Sequence, residues 1–422
     1  VQPFNYQNGE LFAEGVALQR LAETVGTPFY VYSRGALEAN FRAYDAAFDG
    51  VPHVVCYAMK ANPNLAVLAS FARLGGGMDI VTGGELFRAL RAGADPRKIV
   101  YSGVGKSDDE IAYALKTGIL MFNVESAEEL GAINRVAGSL GLRAPISIRV
   151  NPDVDPQTHP YISTGMKKSK FGVNISQARA VYREAMALPH LEVVGVDCHI
   201  GSQLTKISPF TDSLAKVLPL VDELRAAGAN IRYLDIGGGL GITYNDETPP
   251  APAEYGRAVV EAVRGKDLTL VLEPGRNLVG NAGALVTKVL YNKAGEAKHF
   301  VIVDAGMNDL MRPSLYDAFH RIQPVRADAS RAEKVVDVVG PICESGDFLA
   351  HDRSLPEVRT GELLAVMSAG AYGFAMSSQY NGRPRVPEIL VSGADYDVVR
   401  KRETFDDLVR GEEIPASLGA RT

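Results

Sequence analysis

The chain has 422 residues, 46% hydrophobic and 22% charged, an ordinary globular profile with room for two domains. Its net charge of −6, without any basic run, gives no electrostatic footprint for nucleic acid or an anionic membrane. No apolar run approaches the roughly 20 residues of a membrane span, and Val1-Gln2-Pro3-Phe4 lacks the charged and apolar regions of a signal peptide.

Three cysteines, Cys56, Cys198 and Cys343, lie far apart with no Cys-x-x-Cys. They form neither a disulfide framework nor a zinc motif. A reduced cytoplasmic setting and no metal centre are the expectation.

In chain order, Phe29-Tyr30-Val31-Tyr32 reads as a strand just ahead of a long repetitive region. From about residue 50 to 280 the chain alternates β-rich runs with amphipathic segments. The runs are Val54–Met59, Met78–Val81, Ile99–Ser102, Leu120–Val124, Ile146–Val150, Val193–Ile200, Ile231–Ile236 and Thr269–Glu273. Most are nearly continuous in apolar residues, as parallel strands covered on both faces require. The segments between them include Leu65–Leu74, Glu85–Arg91, Asp108–Lys116, Ala127–Leu140, Gln177–Leu188, Phe210–Ala227 and Glu254–Val263. Eight such repeats predict an α/β fold, a (β/α)8 TIM-type barrel over residues 33–282. An open doubly wound sheet fits eight repeats less well.

The connection from Asn151 to Asn174 is too long for a simple turn. It leaves the face where barrel active sites lie, so it is a candidate lid with His159 near its tip. His159 as an ordinary exposed loop residue stands equally open.

After residue 285 the rhythm changes. Val286–Tyr291, Phe300–Asp304, Val335–Val339, Leu363–Met367 and Glu388–Ser392 read as strands without regular intervening helices. A C-terminal mainly-β domain over 283–422, completed by residues 1–32, is predicted.

The barrel strand ends carry the chemistry. Strand one ends at Lys60, where desolvation of the amine would lower its pKa and suit it to a Schiff base. Strand six ends in His199-Ile200-Gly201-Ser202, strand seven in Gly237-Gly238-Gly239-Leu240-Gly241, and strand eight in Glu273-Pro274-Gly275-Arg276. Taken singly, each has an ordinary reading: a lysine reaching for solvent, a capping histidine, a turn, a surface pair. Placed together on one barrel face they describe another arrangement. Glycines let backbone N–H groups close on a phosphate. A lysine for an imine, a phosphate nest, a flat histidine and a glutamate for the pyridine nitrogen describe a pyridoxal 5'-phosphate (PLP) site.

Tyr57-Ala58-Met59-Lys60-Ala61-Asn62, the three strand-end motifs above, Cys343-Glu344-Ser345-Gly346-Asp347 and Ala371-Tyr372-Gly373 form an ordered set. On that set, from about Pro28 to Leu408, the chain resembles the diaminopimelate decarboxylase family, fold-type III PLP-dependent decarboxylases with an alanine-racemase-like barrel. No position departs visibly from the family pattern.

The resemblance implies that Lys60 carries PLP, His199 stacks on its ring and Glu273 pairs with the ring nitrogen. It implies that Ser202, Gly237, Gly238, Gly239, Gly275, Arg276 and Tyr372 surround the phosphate, Tyr372 arriving from the β-domain. Arg276, Arg312, Tyr316 and Tyr372 would contact substrate, the first three at its distal carboxylate. Cys343, as a proton donor, and Glu344, toward the distal ammonium, would come from the second subunit of a homodimer with shared sites.

The implied reaction converts meso-2,6-diaminopimelate to L-lysine and CO2. Related decarboxylases of ornithine, arginine or a carboxylated polyamine are the nearest alternatives. Arg312 argues against simple diamines, because an Arg fork matches a carboxylate. A non-catalytic binding protein would have lost Lys60, Glu273 or the Cys343 segment. A racemase of this fold would place an arginine at the ring nitrogen.

Overall fold

The computed structural model describes residues 2–155 and 170–419. His159 and the middle of the expected lid lie outside the described residues. The chain divides into two compact units. One comprises Arg34–Ala282 with Gly370–Ala375; the other comprises Gln2–Ser33, Gly283–Ala369 and the chain from Met376.

The first unit is a closed parallel barrel. Its strands are His53–Ala58, Gly77–Ile80, Ile99–Tyr101, Met121–Val124, Ala144–Asn151, Leu191–Asp197, Tyr233–Asp235 and Thr269–Leu272. Each pairs in parallel with the next. The last returns to the first with Leu270 opposite His53, which closes the ring. The eight expected runs are these eight strands, with boundaries moved by a few residues.

The outer helices follow from the sequence pattern and from caps. Ser107 and Glu110 form a reciprocal capping box ahead of Asp108–Thr117. Asn64, Thr82 and Ser126 each cap the helix that comes next in the chain. The helix Arg34–Ala46 precedes the first barrel strand and was not anticipated. Its Phe41 stacks on Phe71 of Leu65–Arg73, with ring centroids 5.6 Å apart.

Inside the barrel, two layers differ in chemistry. Cys56, Val100, Met121, Val194 and Val271 form an apolar cluster. Toward the C-terminal ends of the strands the buried side chains are polar: Asp79, Ser102, Asn123, Ser147, Arg149, Asp197, Asp235 and Glu273. A packed barrel that keeps carboxylates in its core is using them, because burying charge is costly without a partner.

The second unit is built on a sheet ordered Phe348–Pro356, Glu333–Val339, His299–Val303, Gly283–Ala294, Phe29–Ser33, Glu388–Ser392, Asp395–Arg400. The N-terminal strand Phe29–Ser33 lies inside this sheet, antiparallel to Gly283–Ala294 and parallel to Glu388–Ser392. Strands Ile322–Pro324, Phe348–Pro356 and Asp395–Arg400 were not expected from the sequence. Leu11, Leu18, Phe29, Val286, Ala365 and Ile389 belong to its apolar core.

One expectation is corrected. Tyr372 belongs to the barrel unit rather than to the β-domain. Its N–H donates to Ala61 O at 2.8 Å, and Gly370 N–H donates to Gly280 O at 3.0 Å. Asn62 Nδ2 donates to Gly370 O at 3.1 Å, which fastens the segment beside Lys60.

Among the described residues, no helix is long and apolar enough to cross a membrane. Among them, no group of three or more His, Cys, Asp or Glu could hold a metal ion.

Candidate active site

Strand His53–Ala58 runs straight into the single 3-10 turn Met59–Ala61, with Lys60 at its centre. Parallel register places Asp79 opposite Ala58. Lys60 Nζ therefore meets Asp79 Oδ2 at 3.1 Å, with the lysine side chain 41% exposed and the aspartate fully buried.

This pairing reverses the expected electrostatics of Lys60. Burial alone would lower its pKa, but the Asp79 carboxylate, helped by Tyr372 and Glu273, raises it above the ordinary lysine range. The free amine is thus stored protonated against Asp79. Lys106 makes the contrast with a structural lysine. Its buried ammonium is satisfied by Gly103 O, Asn123 O and Glu129 at 2.7–2.8 Å.

Glu273 comes directly after the last barrel strand. Its N–H donates to Gly237 O at 2.8 Å. Oε1 accepts from Ser102 Oγ and from Asn123 Nδ2, each at 3.3 Å. Burial, and next the nearby Asp79 carboxylate, push the Glu273 carboxyl up to about 7, while Lys60 opposes the rise. Asp235 and Asp197 are likewise raised well above the carboxylate range, by burial first and then by Glu273.

His199 has the opposite shift. Burial, with the cations Arg149 and Lys60, holds its ring well below the usual histidine range, so it is neutral. Gly238 N–H donates to Nδ1 at 3.0 Å, which places the ring proton on Nε2. Arg149 is anchored by Glu125 at 3.1 Å and donates to His199 O at 3.3 Å.

The glycine run is required by space. A Cβ on Gly237 would lie 2.3 Å from His199 Nδ1, and one on Gly238 would lie 2.1 Å from Glu273 O. Two of its amides already have partners, Asp235 Oδ1 for Gly237 and His199 Nδ1 for Gly238. The run therefore shapes the wall rather than offering those two N–H groups.

Beside it, Arg276 Nη2 donates to Ser202 Oγ at 3.0 Å and Nη1 to Tyr244 OH at 2.6 Å. The guanidinium lies 4.8 Å from the Tyr372 ring centre. Gly275 starts the short helix Arg276–Val279. A Cβ on Gly275 would lie 3.2 Å from the Cβ atoms of Ala58 and Ala61.

The barrel unit thus gathers Lys60, His199, Ser202, Gly237–Gly239, Glu273, Gly275, Arg276 and Tyr372. Arg312, Tyr316, Cys343 and Glu344 belong to the β-rich unit. There Arg312 is buried at the start of the helix Arg312–Tyr316, with Tyr316 half-buried at its end. Arg312 Nη1 donates to His320 Nε2 at 2.9 Å, and His320 Nδ1 donates to Met367 O at 2.9 Å. Cys343 and Glu344 are exposed on a loop shaped by Asp347. The Asp347 carboxylate accepts from Met307 N and Ile342 N at 2.6 Å each. Cys343 N–H donates to Asn381 Oδ1 at 2.8 Å.

Sequence reasoning missed Asp79, Asn123, Asp235, Tyr244 and His320. A signal existed for the aspartates: each interrupts a buried apolar run, Met78-Asp79-Ile80 and Leu234-Asp235-Ile236. Nothing local marks Tyr244 or His320.

The matching family model is the pyridoxal-dependent decarboxylase, pyridoxal binding domain, over residues 34–280. The chain is 58% identical to the diaminopimelate decarboxylase of Pseudomonas aeruginosa, across 97% of this chain and 99% of that one. It is 53% identical to that of Aquifex aeolicus, across 96% of both. This chain belongs to the diaminopimelate decarboxylases. The diaminopimelate decarboxylase of Helicobacter pylori, solved with L-lysine, superposes with a TM-score of 0.90 at 46% identity, covering 93% of this chain and 98% of that one.

The donor set fits the family's cofactor. A reachable lysine, a neutral histidine ring, a carboxyl group and an arginine–hydroxyl cluster lie on one barrel face, where an imine, a ring, a ring nitrogen and a phosphate each need a partner.

Proposed function

We propose that this chain decarboxylates meso-2,6-diaminopimelate to L-lysine and CO2 at the mouth of its barrel, with Lys60 as the residue that carries PLP. The single observation that carries the reading is the Lys60–Asp79 pair beside Glu273, in a chain aligned over nearly its whole length with diaminopimelate decarboxylases.

PLP supplies the sink for the electron pair left when CO2 departs. The chain's own residues do the rest. Asp79 holds the Lys60 ammonium in place at the end of the first barrel strand. Glu273 offers a carboxylate to the ring nitrogen. His199 presents a neutral face, because burial first, and then the neighbouring cations Arg149 and Lys60, keep it unprotonated. Ser202, Arg276 and Tyr372 hold the phosphate, within a wall shaped by Gly237–Gly239 and Gly275.

Arg312 and Tyr316, with Arg276, hold the distal carboxylate of substrate, and Glu344 its distal ammonium. His320 supports this assignment by fixing one edge of the Arg312 guanidinium. Cys343 or Lys60 returns the proton to Cα. We assign Cys343 and Glu344 to the site of the partner subunit of a homodimer. Three free cysteines, with Cys56 and Cys198 buried, accord with a reduced cytoplasmic setting.

Purified protein incubated with PLP and meso-diaminopimelate tests the reading. L-lysine and CO2 in equal amounts are expected. Turnover of ornithine or arginine, with none of diaminopimelate, would transfer the chain to another substrate.

A further inference from the structure

A buried amide lies between two carboxyl groups at the ends of neighbouring barrel strands. Asn123 turns Nδ2 toward Asp235 Oδ2 at 2.9 Å and toward Glu273 Oε1 at 3.3 Å. Its orientation is fixed from behind, because Ser147 Oγ donates to Asn123 Oδ1 at 2.6 Å. Asp235 and Asn123 are 0% exposed and Glu273 is 6% exposed. Two carboxylates drawn to one amide in a dry core cannot both stay ionised, because their repulsion is poorly screened there.

The surroundings decide which group keeps the proton. Glu273 is faced by the cations Lys60 and Arg149 as well as by the Asp79 carboxylate. Asp235 is faced by two further acids, Glu273 and Asp197, and its charged form is favoured by the neutral donors Gly237 N–H and Asn123. Cations favour charge on Glu273. The surrounding acids favour a neutral Asp235, which hydrogen-bonds to Glu273.

We propose that Asp235 and Asn123 are positioning residues for Glu273: Asp235 keeps the proton of the pair, Asn123 holds both carboxyl groups in place, and one negative charge is left on Glu273 for the ring nitrogen. The last clause rests on the function proposed above; the shared proton does not. In this arrangement Asp235 also ties the acid pair to the glycine wall, because its Oδ1 accepts from Gly237 N–H at 2.8 Å. The barrel core thus sets the charge on Glu273 from behind.

The test is carboxyl-carbon NMR of the full-length holoenzyme with 13C-labelled Asp and Glu side chains, monitored against pH. In the wild type, Asp235 is expected to keep the protonated shift through neutral pH. In Glu273→Gln its midpoint should fall by about one unit or more, since the neighbouring charge is gone. In Asn123→Ala the Asp235 midpoint should rise, because a donor to its ionised form is lost. A merely structural pair would leave these midpoints in place. An ionised Asp235 throughout neutral pH in the wild type, or a midpoint unmoved by Glu273→Gln, overturns the proposal. Should Glu273→Gln fail to fold, Asp235→Ala gives a second reading, a rise in the Glu273 midpoint, because the hydrogen bond that the protonated Asp235 gives its carboxylate is lost; a fall would overturn the proposal. Normal turnover in Glu273→Gln with the Asp235 midpoint still lowered would sink the ring-nitrogen assignment and leave the proton pair standing.

Discussion

Lys60 and Glu273 are a cation and an acid whose environments push both toward the protonated form. For Lys60 the expected chemistry is a PLP linkage that borohydride fixes to the peptide containing it. Lys60→Ala should abolish that labelling and nearly all turnover, and label on a different lysine would refute the assignment. Glu273→Gln should retain PLP yet slow decarboxylation by about 10²-fold or more, the scale of a lost charge-assisted contact.

The raised Glu273 pKa also has a stability signature in protein freed of PLP. The folded state binds the proton more tightly than the unfolded chain, whose ordinary value is 4.5, so this group's contribution is full below 4.5 and is lost as pH rises through about 7. Glu273→Gln lacks the loss. Its stability relative to wild type should therefore improve as pH rises across that window, measured by urea unfolding at several pH values. A stability relative to wild type that stays constant or falls as pH rises would show that Glu273 is not raised.

At the level of elements, the end of the seventh barrel strand is locked to the eighth by contacts too close for side chains. Gly238 is the clearest case, because a Cβ there meets the Glu273 carbonyl oxygen at 2.1 Å and its carbon at 3.0 Å. Both neighbours are backbone, so neither can swing aside. Gly238→Ala should cost about 1–3 kcal/mol, as overpacking of a rigid site does. It should also weaken PLP binding, because separating the seventh and eighth strands moves His199 and Glu273 apart. Denaturant unfolding and the absorbance of bound PLP measure the two effects. A variant with wild-type stability and cofactor content would mean that the strand ends tolerate movement.

At the scale of the whole molecule, the assignment of Cys343 to the partner subunit makes two chains necessary for one site. Lys60→Ala and Cys343→Ala homodimers should each be nearly inactive. Random exchange between them should restore about a quarter of wild-type activity, since half the dimers are mixed and each has one good site of two. No recovery after exchange has been demonstrated would place Cys343 in its own chain's site. A recovery well above a quarter would show that one of the two variants is not inactive.

Much of this was legible in the residue string. Eight apolar runs spaced by amphipathic segments fixed the barrel, because parallel strands buried on both faces are continuous in Val, Ile and Leu and their crossover helices carry the 3.6-residue pattern. The strand-end motifs placed Lys60, His199, the glycines, Glu273 and Arg276 on one face, since parallel strands all end on the same side. Strand Phe348–Pro356, with the polar stretch Ala-His-Asp-Arg-Ser at its centre, was hidden, because an open antiparallel sheet tolerates polar residues that barrel strands do not. Tertiary structure alone decided the electrostatics. The sign of the Lys60 shift depends on Asp79, 19 positions away and opposite Ala58 only through strand register. The charge on Glu273 depends on Asn123 and Asp235, brought within one amide's reach by closure of the barrel. Sequence names the residues at each strand end, but a pKa is set by what lies within a few ångströms across the barrel, and that distance exists only once the ring has closed.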